Sequence, residues 1–231
     1  MVRRSSKVVV LPGQELLLAP VDYAGPTGLV RLEKLRSKCD TCELCPLHEK
    51  RTHVVHGEGP WDSPLIAFVG EGPGFYENQQ GKPFVGASGR FLGAMLNAMG
   101  LSRERVYLTN CVRCRPPNNR NPDGFELEAC KPFLTEELDA IKPKVVVTLG
   151  KTAAYNLLPL RESLNHMRGR WHVVNGQKIR VTWHPAYVLR KDSEDGGATR
   201  WDVWDDMVAV LEELGLPVPE RKRPTAPGDE P

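Results

Sequence analysis

The stretch KVVVTLGKTAAYNLL, residues 144–158, decides the fold. Its first half is a short apolar run closed by Gly150, and its second half reads as a short helix. The same succession of strand and helix recurs on the N-terminal side. PLIAFVG (64–70) is an apolar run ending in glycine. SGRFLGAMLNAMG (88–100) is helical, with Phe91, Leu92, Met95, Leu96 and Met99 on one side and Gly100 as the stop signal. RVYLTN (105–110) is a second strand and DGFELEACKPFLTEELDAIKP (123–143) a second helix. Downstream, RWHVVNGQKIRVTWHP (170–185) reads as a hairpin, because Asn175-Gly176 supplies two positive-φ residues between alternating runs. A last helix covers 199–215, and Leu29, Leu32 and Leu35 form a helical stripe before the first cysteines. Strands alternating with helices predict an α/β fold: a three-layer α/β/α sandwich around a central, mostly parallel four-stranded sheet.

One domain is expected over residues 28–215, with residues 1–27 as an irregular arm and 216–231, rich in proline and charge, as a disordered tail. The 231 residues are 40% hydrophobic and 26% charged, an ordinary soluble composition. Lysine plus arginine exceed aspartate plus glutamate by only 31 to 29, so any basic footprint must be local. No apolar run approaches the roughly 20 residues that span a bilayer. The initial VVVLP is also shorter than the roughly 7–15 residues of a signal-peptide core. A cytoplasmic monomer is the expectation, and in that reducing compartment clustered cysteines serve metals or catalysis rather than disulfides.

Three of the six cysteines, Cys39, Cys42 and Cys45, stand at every third position of CDTCELCPLH (39–48). Cys114 and Cys130 enclose fifteen residues, RPPNNRNPDGFELEA. Cys42, Cys45, Cys114 and Cys130 together make four thiolates, the number that completes either a tetrahedral zinc site or an iron-sulfur cubane. Zinc is the competing metal, Cys39 is an alternative to Cys42 or Cys45, and Cys39 and Cys111 are otherwise ordinary small residues near the site.

Parallel sheets bind ligands at the carboxyl ends of their strands. The loop after the first strand, GEGPGFYENQQGKPFVGASG (70–89), fails as a dinucleotide fingerprint because Phe75 stands where the third glycine belongs. What remains is a backbone able to approach a flat ligand, with Glu71 at its mouth and Phe84 further on. Aromatic stacking plus edge hydrogen bonds is how proteins hold an extruded base.

CELCPLHEKRT, GEGPGFYENQQGKPFVGASG, YLTNCVRCRPPNNRNP and WHPAYVLR together resemble the family 4 uracil-DNA glycosylases, in order and with matching spacing over about residues 39–190. The resemblance implies a DNA repair hydrolase that cleaves the N-glycosidic bond of uracil in single- or double-stranded DNA and leaves an abasic site. It implies a 4Fe-4S cluster on Cys42, Cys45, Cys114 and Cys130. Phe84 matches the aromatic that stacks on uracil, Asn110 the amide that reads its polar edge, His184 the histidine near uracil O2, and Glu71 the acid of hydrolysis. Gly70 and Gly72 belong to the close-approach loop, and Tyr76 is the candidate that rejects the thymine methyl. Gly72 departs from the alanine usual in this branch, which leaves Glu71 and Glu77 as the nearby carboxylates.

DNA contacts are expected from Arg113, Arg115 and Arg120, from Arg168 and Arg170, and from Arg190 with Lys191. In the loop resembling the family's intercalating segment, Leu189 or Tyr187 fills the gap left by the extruded base. The rival class is a metal-clipped protein that binds or covalently traps uracil-DNA without turnover. The trapping branch uses a histidine in an added loop, and CRPPNNRNPD contains none.

Overall fold

A computed structural model describes residues 26–221, so the expected arm up to residue 25 and the tail beyond 221 lie outside the described residues. In chain order the elements are α1 (Pro26–Asp40), β1 (Ile66–Gly70), α2 (Phe75–Gln80), α3 (Ala87–Ala98), β2 (Tyr107–Asn110), α4 (Gly124–Ile141), β3 (Val145–Leu149), α5 (Lys151–Leu157), α6 (Leu164–Met167), β4 (Trp171–Val174), β5 (Gln177–Thr182), α7 (Pro185–Lys191) and α8 (Ala198–Glu213). The sheet order is β2-β1-β3-β5-β4. The first four strands in that order run parallel, and β4 is antiparallel to β5.

The sheet therefore has five strands rather than the four expected. The extra one is the first arm of the hairpin, whose two-residue turn at Asn175 (φ 49°) and Gly176 (φ 79°) can join only antiparallel neighbours. It forms an edge, with Val173 exposed.

Alternation along the strands divides the core in two. Ile66 and Phe68 of β1, with Val145 and Val147 of β3, face Leu92 and Leu96 of α3 and Val203 and Met207 of α8. Ala67, Val69, Val146 and Val181 face Leu32 of α1, Leu134 of α4 and Ala153 of α5. This is the three-layer arrangement. α4 begins at a reciprocal capping box between Asp123 and Glu126, which the sequence DGFE encodes directly.

Two helices occupy stretches expected as loops. α2 starts at Phe75, just beyond Pro73, with Gly74 as its N-cap. α7 replaces the expected intercalating loop, because Pro185 at its first position and the His184 side chain capping Ala186 N–H favour a helix start. The carboxyl ends of β1, β2, β3 and β5 share one rim, so Gly70, Asn110, Gly150 and the residues after Thr182 are brought together there.

Candidate active site and cysteine cavity

A cavity of about 640 Å³ opens at this rim, a volume typical of small-molecule sites. Glu71, Gly72, Tyr76, Phe84, Asn110 and His184 all line it, so residues 113 positions apart in the chain share one space. Gly70 is not among its lining residues but stands against two that are. A Cβ on Gly70 would stand 2.4 Å from Asn110 Oδ1 and 2.6 Å from Phe84 Cζ, so its bare backbone is what lets the ring and the amide meet.

Phe84 has φ 53°, a left-handed conformation uncommon for a bulky residue. Its neighbours impose it. Buried Glu77 accepts hydrogen bonds from Val85 N–H (2.9 Å) and Gly86 N–H (2.8 Å), while Arg103 donates to the carbonyls of Phe84 (2.8 Å) and Pro83. Helix α3 can crowd this turn only because residue 89 is glycine; a Cβ there would stand 1.9 Å from Phe84 O. Glu77, the second carboxylate of the loop, is thus occupied in holding the Phe84 turn. Glu71 is half-buried, and the hydroxyl of Thr152, second residue of α5, donates to its Oε2.

His184 is held by a bond from Ala186 N–H to Nδ1 (3.1 Å). An accepting Nδ1 places the ring proton on Nε2, leaving Nε2–H as the donor edge. Burial, and then the charge of Arg190, push its pKa down to about 4, so the imidazole is neutral at physiological pH.

The cysteines meet in a second, apolar cavity, lined by Cys39, Cys42, Cys45, Cys114 and Cys130 together with Leu47, Val112 and Phe133. All six cysteines are free thiols, and Cys111 is fully buried away from this cavity. Arg51 lies on the wall, with Nη1 3.7 Å from Cys114 Sγ and 2.6 Å from the Cys42 carbonyl. Burial pushes the Cys130 thiol up to about 11, so a thiolate there needs positive charge beside it.

Among the expected DNA contacts, Arg190, Arg120 and Tyr187 line the rim cavity, with Tyr187 stacked on Trp183 at 4.7 Å. Arg115 stands at its edge, bonded through Nε to Asn119 Oδ1 (2.7 Å). Leu189 is exposed on α7, and Arg170 pairs with Glu162; neither lines the cavity. Lys191 pairs with Glu194. Arg113 is corrected outright: at 4% exposure it is ion-paired with Glu137 at 2.6 Å and cannot reach a phosphate. Arg168 is likewise internal, bonded to Asp202 and Asp206 and lying over the Trp183 ring. Sequence alone does not single out Trp183 or the bracing role of Glu77, and for Thr152 its signal is the position of GKT at the end of a strand.

A strand rim carrying an aromatic, an amide, a carboxylate and a neutral imidazole around one cavity defines an α/β protein with a polar, aromatic-walled ligand site. Comparison with known proteins narrows the class. The profile of the uracil DNA glycosylase superfamily matches residues 56–208. The chain is 42% identical over 168 residues to a Type-4 uracil-DNA glycosylase of Thermotoga maritima, covering 71% of this chain and 86% of that one. It is 44% identical over 157 residues to the Type-4 uracil-DNA glycosylase of Archaeoglobus fulgidus, covering 64% and 78%. A Type-5 uracil-DNA glycosylase of Thermus thermophilus is 34% identical over 195 residues, covering 69% and 87%. The chain belongs to the uracil DNA glycosylase superfamily and stands with its Type-4 branch. Among the described residues no helix is long and apolar enough to cross a membrane.

Proposed function

We propose that the protein is a cytoplasmic, monomeric DNA repair enzyme that hydrolyses the N-glycosidic bond of uracil in DNA, single- or double-stranded, releasing uracil and leaving an abasic site. The observation that carries this reading is the convergence of Glu71, Phe84, Asn110 and His184 on one cavity. Phe84 stacks on the extruded pyrimidine. Asn110 accepts from N3–H and donates to O4, whereas the amino group of cytosine would confront the amide nitrogen. Tyr76 lies against C5 and excludes the thymine methyl.

As the bond breaks, positive charge grows on the sugar and negative charge on uracil. The Nε2–H of neutral His184 donates to O2 and stabilises the leaving anion. Glu71, steadied by Thr152, orients the attacking water at C1′ and favours the cationic sugar. Arg190 and Arg115 contact phosphates, Arg170 serves a more distant one, and Leu189 at the end of α7 enters the gap left by the base.

The cysteine cavity fits a metal group. Its donors are free thiols from two distant segments in an apolar setting, with an arginine beside one sulfur. The group read here is a 4Fe-4S cluster, which takes four thiolates as a structural zinc also does. Cys42, Cys45, Cys114 and Cys130 would hold it, with Cys39 behind them on α1. When bound, it cross-links the 42–51 segment to the 111–130 segment and so fixes the rim loop that carries Arg115. Purified protein is expected to be brown, with absorbance at about 400 nm from thiolate-to-iron charge transfer. A colourless protein holding one zinc would overturn the cluster and leave the glycosylase standing.

The deciding test is a uracil-containing oligonucleotide without added magnesium, followed by alkali. Cleavage at the uracil position is expected. Equal binding to uracil and thymine DNA with no abasic product would overturn the enzyme. Within the working enzyme, Asn110→Asp is expected to remove about 1–3 kcal/mol of discrimination between uracil and cytosine, the worth of one bidentate base contact. Competition between the two substrates measures it, and an unchanged ratio would take Asn110 out of base reading.

A further inference from the structure

The rim cavity continues into a feature that uracil binding leaves unused. Phe75, the first residue of α2, lines the mouth yet is 49% exposed. Its neighbour Tyr76 is 58% exposed, so the two rings form one aromatic patch beside the cavity, the kind of contiguous surface that marks an interaction site. The Arg115 guanidinium stands over the Phe75 ring at 5.2 Å, and Tyr76 packs edge to face against it at 5.5 Å.

Arg115 is itself held by Asn119 through Nε, which leaves its Nη donors for a second ligand. Asn118 and Asn119 both adopt left-handed φ, 55° and 54°, in a turn stiffened by Pro116 and Pro117. Asparagine is among the non-glycine residues that adopt this conformation most readily, which suits it to a tight turn. The turn places Asn119 to hold Arg115 beside Phe75, and Asn119 lines the same cavity.

We infer that Phe75 and Arg115 form a second nucleobase subsite, which stacks the base adjacent to the extruded uracil and clamps the intervening phosphate. The chemistry of the pair selects this occupant. Aromatic rings and arginine guanidiniums are the groups on which proteins stack unpaired bases without reading their sequence, and the neighbouring cavity supplies the strand that delivers one. The inference rests on the glycosylase reading and adds to it that the protein grips two consecutive nucleotides, favouring a strand already unpaired at that step.

The test is a thermodynamic cycle on dissociation constants, measured by fluorescence anisotropy. The probe is a single-stranded oligonucleotide carrying 2′-fluoro-2′-deoxyuridine, whose fluorine slows cleavage. Its neighbouring nucleotide is either normal or a tetrahydrofuran abasic analogue, placed on the 5′ or the 3′ side in separate probes. Removing the adjacent base on one side is expected to weaken wild-type binding by about 5–150-fold, the range for one stacked base. Phe75→Ala should weaken binding to the normal probe by a similar factor and leave binding to that abasic-flanked probe nearly unchanged. Phe75→Trp should retain the preference for a flanking base, and Phe75→Leu should lose it.

If Phe75→Ala weakens normal and abasic-flanked probes equally on both sides, or weakens neither, the subsite is wrong. Cleavage of ordinary uracil DNA by wild-type protein separates the two levels. Additive behaviour with intact cleavage removes only the subsite, whereas absence of cleavage removes the glycosylase reading beneath it.

Discussion

Replacing His184 with alanine is expected to slow uracil release by about 100 to 1,000-fold, the loss typical of one donor to a developing oxyanion. The donor is neutral. Its Nδ1 is occupied by Ala186 N–H, and burial followed by Arg190 pushes its pKa down to about 4. From pH 5 to pH 8 the Nε2–H stays in place, so the single-turnover rate should show no step at the ordinary histidine value of 6.5. His184→Gln, whose amide N–H can stand where Nε2–H stands, should recover part of the loss. The same shift affects stability. Between pH 6.5 and about 4 the unfolded chain binds a proton that the native site refuses. Native stability should therefore fall as pH drops through that window, and less so in the glutamine variant. A rate inflection near pH 6.5 that vanishes in His184→Gln would mean that an imidazolium does the work, and an unaltered rate in His184→Ala would remove the residue from the site.

The features legible from sequence were those fixed by a few adjacent residues. Asn175-Gly176 dictates its own turn, and the apolar runs 64–70 and 144–150 need only their composition to become parallel strands. The sheet exceeds the four expected strands because the first arm of the hairpin pairs as an edge strand of its own. Phe84 shows the opposite case. Its positive φ is set by Glu77 from seven residues away and by Arg103 from nineteen, and nothing local in GKPFVG signals it. The motif places Phe84 in the site, but only the tertiary brace gives the ring its angle over Gly70. Thr152 is similar. It meets Glu71 across 81 residues because β1 and β3 are neighbours with aligned ends, a relation that exists only once the sheet order is known. For the arginines, charge and loop position suggested phosphate contact equally for all, and burial alone separates Arg113 and Arg168 from Arg115 and Arg190.

That separation makes Arg113 the site of the largest expected change in stability. Arg113 and Glu137 are both nearly fully buried, and Tyr107 and Thr109 hydroxyls also donate to the Glu137 carboxylate, at 3.0 and 2.7 Å. Arg113 donates to Thr109 as well, so the four side chains form a closed network between the end of β2 and α4. Removing one charge leaves the other uncompensated in the interior, which costs about 3–5 kcal/mol. Arg113→Ala should therefore lower the denaturation midpoint sharply, at roughly 2–4 °C in Tm per kcal/mol for a chain of this size. Arg115→Ala, two residues on but at the surface, should stay within about 0.5 kcal/mol of wild type. The network joins the two segments that also carry Cys114 and Cys130, so it aligns half of the thiols before any metal arrives. Loss of the 400 nm band in Arg113→Ala should then accompany unfolding rather than precede it. If Arg113→Ala instead unfolds at the wild-type midpoint and merely weakens DNA binding with a shallower salt dependence, the side chain leaves the interior in solution and the phosphate role expected from sequence returns.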